Sequence, residues 1–194
     1  MATKKKRGID DVSIEGIRSD KKFDCYPWLA AQTVEQITWL AEASAKTKTA
    51  VAGELAHLAL WNQSALDPLR PYMHFPLLFT WQSGSLSNVF YCWNPDLPAV
   101  KDIRPVIQEA RSAQAIKTKF RIILPDRHRL QALVHALNLT TADAIWPVLL
   151  SLVLLQPRLV TLVVGSRDVG LSGRHPISGD WIETHTGAEG GVLV

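Results

Sequence analysis

The chain has 194 residues, 47% of them hydrophobic and 20% charged, with a net charge of +3 and an isoelectric point near 9.0. That is apolar material enough for a core in one domain or two small ones, and it excludes disorder throughout; the mild basicity is compatible with a polyanionic partner without requiring one. Two cysteines, Cys25 and Cys92, are too few for a disulfide framework, and their spacing matches no zinc site.

Residues 1–22 are charged and read as a basic flexible arm, in which Lys4, Lys5, Lys6 and Arg7 can lie along phosphates or simply solubilise the chain. No apolar run follows them, so the start is not a secretory signal. The expected setting is cytoplasmic, or nuclear if the source is eukaryotic.

Residues 23–61 form a first strand-helix-helix unit. Val34, Ile37 and Ala41 share one helical face and Val51, Leu55, Leu58 and Ala59 another, with the polar stretch SAKTKT between them. Thr49 is the expected cap of the second helix. Lys46, Thr47, Lys48 and Thr49 place hydroxyls and positive charge at a helix start, where a phosphate is favoured; the alternative is a solvated turn.

Residues 62–117 are rich in proline and aromatics. The runs FPLLFTW and VFYCW flank Ser83-Gly84-Ser85 as a hairpin would, and both of its faces carry large apolar groups. Residues 75–93 are therefore expected to meet the rest of the chain, another protein or another copy in a homo-oligomer. Residues 101–117 read as a helix with Pro105 in or near its first turn.

Residues 118–165 form a second strand-helix-helix unit. Phe120, Ile122 and Leu124 alternate onto a core face, Lys119, Arg121 and Ile123 onto the opposite one, and Pro125 ends the strand. Leu130, Leu133, Val134 and Leu137 then recur at helical spacing, and the turn NLTTAD leads to an apolar helix capped by Thr140 or Asp143. Ala144–Leu155 is too short to span a bilayer, which needs roughly 20 residues in a helix, so it reads as a buried helix, followed by a strand over Leu159–Val164; no membrane partner is expected.

Residues 166–194 read as a C-terminal tail able to form a hairpin. His175, Asp180, Glu183 and His185 have the chemistry of metal ligands, but at a spacing that matches no familiar site. The histidines fall singly, and Cys25 has no sequence neighbour that would activate it. No metal, cofactor or catalytic residue is assigned, and the chain is not read as an enzyme.

The order strand, helix, short turn, helix over 119–155 resembles the ribbon-helix-helix family of DNA-binding proteins, and DCYPWLAAQTVEQITWLAEASAKTKTAVAGELAHLAL over 24–60 can be laid upon it as a second copy. The resemblance implies an α+β fold of two ribbon-helix-helix-like units with an inserted aromatic hairpin. It implies that Lys119, Arg121 and Ile123 face the major groove of double-stranded DNA, with Thr140 and Thr141 at the phosphate-contacting start of the second helix. In the first copy the groove-facing positions become Asp24, Tyr26 and Trp28, and the acid departs from what phosphates favour. The expected function is DNA binding, as a repressor or DNA-organising accessory factor. The rival expectation is an assembly subunit of a virion or multiprotein complex, because seven tryptophans suit protein interfaces.

Overall fold

A computed structural model of the chain describes residues 21–83, 86–92, 100–111, 114–165 and 169–186. In chain order, β1 (Lys22–Cys25) and β2 (Trp28–Ala30) lead into α1 (Ala31–Ser44), α2 (Lys48–Trp61) and the short α3 (Gln63–Leu66). A 3-10 turn over Asp67–Tyr72 precedes β3 (Leu77–Ser83) and β4 (Leu86–Cys92). There follow α4 (Arg104–Arg111), β5 (Ala115–Lys117), β6 (Phe120–Ile123), α5 (Leu124–Ala136), a 3-10 turn at Ala142–Ala144, α6 (Trp146–Leu154), α7 (Pro157–Val164), β7 (Val169–Arg174) and β8 (Trp181–Thr186). The fold is α+β, with its strands, among the described residues, in two-stranded antiparallel pairs: β1 with β6, β2 with β5, β3 with β4, β7 with β8.

Helix α6 is the centre of the core. Eight of its residues, from Trp146 to Leu154, are buried, and α2 packs along it. Pro147 lies in its first turn, where a missing amide costs no helical hydrogen bond. Trp146 meets Phe120 of β6 edge to face, ring centroids 5.1 Å apart, a geometry that adds about 0.5–1.5 kcal/mol to the burial of both rings.

Helix α2 also carries β6 directly on its surface. Gly53 makes this approach possible: a Cβ there would stand 2.8 Å from the carbonyl oxygen of Arg121. The α1–α2 turn is closed by Ala45 in the left-handed region (φ 55) and by the Lys46 amide donating to the Ala41 carbonyl at 3.0 Å. Thr47, not Thr49, caps α2. Its backbone is extended and its hydroxyl accepts from the Ala50 amide, whereas Thr49 already lies inside the helix.

Three expectations drawn from periodicity give way to tertiary pairing. The helix expected over 101–117 stops at Arg111, because Ala115–Lys117 is drawn into a ladder with β2. Strand β6 ends at Ile123, and Leu124, expected on its core face, opens α5 with Pro125 in the first turn. The strand expected over Leu159–Val164 is helix α7: Pro157 starts it, and Leu159, Val160, Val163 and Val164 bury one helical face. Between α6 and α7 the chain bends by 90°, and no single helix among the described residues is long and apolar enough to cross a membrane.

The aromatic segment forms the expected hairpin, Leu77 pairing with Cys92 and Ser83 with Leu86. The C-terminal β7–β8 hairpin docks on α1, whose Gln32 and Gln36 side chains both donate to the Ser172 carbonyl. At its turn His175 accepts on Nδ1 from the Ile177 and Ser178 amides, which occupies that nitrogen.

Candidate nucleic-acid interface

The four strands β1, β2, β5 and β6 make one ribbon. Lys22 pairs with Ile123 and Cys25 with Phe120; past the interruption at Pro27 the same register resumes, with Trp28 opposite Lys117 and Ala30 opposite Ala115. The Thr118 amide donates to the Pro27 carbonyl at 2.9 Å and bridges the gap. Proline has no amide to give, which is why the ladder breaks there and not elsewhere.

Alternation then sorts the side chains. Cys25, Leu29, Phe120 and Ile122 are buried against the helices. Lys22, Asp24, Tyr26 and Trp28 on one strand and Lys117, Lys119 and Arg121 on the other are exposed, with Ile123 half-buried at the edge. Thus Lys119, Arg121 and Ile123 lie on the face the sequence predicts; Asp24, expected for the first copy, stands opposite Arg121, whereas Trp28 stands opposite Lys117 and Ile123 opposite Lys22.

Asp24 organises the middle of this face. Its carboxylate accepts from Arg121 Nε at 2.9 Å and from Tyr26 Oη at 3.1 Å, and lies 3.1 Å from Lys119 Nζ. Lys119 first, and Arg121 second, hold the Asp24 carboxyl below the usual carboxylate range, while Asp24 in turn raises Lys119. The Lys119 and Lys117 ammonium groups stand 5.3 and 5.8 Å from the centre of the Tyr26 ring, within cation–π reach.

At the Lys22 end of the ribbon, an open cleft of about 730 Å³ separates the strand edge from the start of α2 and the end of α7. It gathers residues that the sequence spreads over two units: Lys46, Thr47 and Thr49 from the first, Arg121 and Ile123 from the second. Lys46 is partly committed inside the molecule, to Glu54 at 2.6 Å and to the Val163 carbonyl at 3.2 Å. The Thr47 hydroxyl is engaged as the cap, and Lys48 and Thr49 are exposed.

Thr140 and Thr141 are exposed but do not stand at the start of α6. They precede the 3-10 turn, and the first helical turn, Trp146–Leu149, is buried, so its amides face protein and not solvent. Of the two helix starts expected to meet phosphate, that of α2 is exposed beside the ribbon, whereas that of α6 is buried and lies beyond Thr140 and Thr141. Lys4, Lys5, Lys6 and Arg7 lie outside the described residues.

One polar cluster escapes sequence reading. His57 Nδ1 lies 2.8 Å from the buried Asp126 carboxylate, the Trp61 indole donates to the same oxygen at 2.7 Å, and Arg129 lies 3.6 Å over the Trp61 ring. Burial lowers Arg129 to about 10, opposed by the nearby Asp126 charge. Residues four apart on α2 and three apart on α5 meet here, but nothing in either segment announces the other. The cluster ties α2 to α5 beneath the cleft. Burial, with Asp143 and Asp24 adding to it, pushes the Cys25 thiol up to about 12, which disfavours the thiolate.

Comparison with protein-family models, with curated proteins and with solved structures gives no match. The functional reading therefore rests on the chemistry of the ribbon and the cleft.

Proposed function

We propose that this protein binds double-stranded DNA through the exposed face of the ribbon, in the manner of ribbon-helix-helix proteins with both half-units in one chain, and acts as a repressor or DNA-organising factor. The observation that carries the reading is the composition of one continuous face: four cations, Lys22, Lys117, Lys119 and Arg121, against the single acid Asp24. A two-stranded ribbon fits the roughly 12 Å major groove, where Arg121 can read guanine through paired donors and Ile123 can touch a thymine methyl. Exposed Lys48 and the start of α2 supply phosphate contacts beside it, and the basic arm at Lys4–Arg7 adds others.

The test is a titration of DNA affinity against salt. The four ribbon cations alone should make the logarithm of the binding constant fall with a slope of about −3 to −4 against log salt, and Lys48 and the arm should steepen it. Replacing Lys119 and Arg121 with alanine should flatten that slope by about two and cost roughly 1–3 kcal/mol of discrimination at the base that Arg121 reads. Salt-independent binding, or discrimination untouched by the double substitution, would rule out readout by the ribbon.

A further inference from the structure

The two ends of the ribbon's exposed face are chemically different, and Tyr26 and Trp28 flank Pro27 at one of them. Towards Lys22 the exposed face holds Lys22, Asp24, Arg121 and Ile123; towards Ala30 it holds Tyr26, Trp28 and Lys117, with Lys119 at the boundary, bound to Asp24 and standing over Tyr26. Tyr26 is 41% exposed and Trp28 50%. Neither ring is core packing. Two residues apart on one strand face, they stand about 7 Å from each other along the ribbon.

Lysines flank both rings in the ribbon's register. Lys117 is the cross-strand partner of Trp28, and Lys117 and Lys119 both reach over Tyr26. Lysine is depleted from the centres of protein–protein interfaces, so rings interleaved with lysines are poorly made for a protein partner. The same interleaving matches single-stranded nucleic acid, whose bases stack on aromatic rings while its phosphates meet cations. A paired base has no free face for this, because its neighbours in the duplex cover both sides.

We infer that the Tyr26–Trp28 half of the ribbon is a stacking platform for unpaired bases, so that the preferred ligand is DNA in which a duplex adjoins a single-stranded stretch. This rests on the proposed duplex binding, carried chiefly by Lys22, Lys119 and Arg121, and adds a substrate class to it. The ribbon then spans the junction, its charged half on the paired segment and its aromatic half on the open one.

The experiment measures fluorescence anisotropy of the full chain with a blunt duplex, the same duplex carrying a short oligo-dT overhang, and oligo-dT alone. The overhang should improve binding about tenfold over the blunt duplex, the gain of stacking one or two bases. Trp28→Ala and Tyr26→Ala should each remove most of that gain, lowering affinity for the overhang probe far more than for the blunt duplex. Trp28→Phe, which keeps a ring and the local packing, should retain most of the gain. Equal affinity for blunt and overhang probes, or a preference that survives both alanine variants, overturns the platform but leaves duplex binding standing. Tight binding to oligo-dT with none to the blunt duplex supports the platform and overturns the duplex reading. Binding to none of the probes, or only to anionic phosphatidylserine vesicles, overturns both.

Discussion

Asp24 is the residue on which the ribbon's chemistry turns. Two cations that would serve a phosphate are engaged with it, at 2.9 and 3.1 Å, and its own charge repels phosphate. All three side chains are partly exposed, so water screens these pairs and little stability depends on them. Asp24→Asn should therefore tighten DNA binding, on the order of fivefold at moderate salt, and steepen its salt dependence. Filter binding on folded variant and parent checks this; unchanged or weaker binding would show that Lys119 and Arg121 do not meet the ligand. At this scale the outward positions were legible, because strand alternation assigns them from one apolar residue in two. That the acid and the cations face each other was not, since 97 residues separate Asp24 from Arg121.

At the scale of elements, α2 and β6 meet backbone to side, and Gly53 sets their distance. Gly53→Ala improves helix propensity by up to about 1 kcal/mol, yet its methyl would press on a carbonyl that cannot rotate away. The strand must shift, and a net destabilisation of about 1–3 kcal/mol is expected from chemical denaturation. A more stable variant would mean that the ribbon does not rest on α2 as described. Helices α1, α2, α5 and α6 were legible from apolar spacing. Helix α7 was misread because Leu159–Val164 is short, apolar and rich in β-branched valine, a composition that strand and buried helix share. Thr140 and Thr141 stand before the 3-10 turn and not at the start of α6 for a related reason: a sequence marks where a helix can start but not whether that start faces water.

At the scale of the molecule, the strands of the two strand-helix-helix units close on each other within one chain. The match between the units is incomplete. β2 stands between β1 and α1, whereas α5 follows β6 without a break. The β3–β4 hairpin is paired, among the described residues, only with itself, and its register sets Leu78 opposite Tyr91 and Phe79 opposite Phe90. A two-stranded sheet with apolar residues at alternate positions of both phases needs cover. Light scattering is expected to report more than one copy per particle, and Phe79→Ser with Trp81→Ser to lower the mass; a monomer at all concentrations would refute this use of the hairpin.

The amino-acid order by itself determined which segments could be helices, that 75–93 would turn back as a hairpin, and which side chains of 119–123 would face away from the core, because each follows from periods of two and 3.6 residues acting over short spans. Only the tertiary structure decided that 22–30 pairs with 115–123, that Asp24 lies between two cations, that His57 meets Asp126, and that the start of α2 is open while that of α6 is buried. These depend on burial of α6 and on strand hydrogen bonds between residues far apart in the chain, and no local pattern records which distant partner will satisfy them.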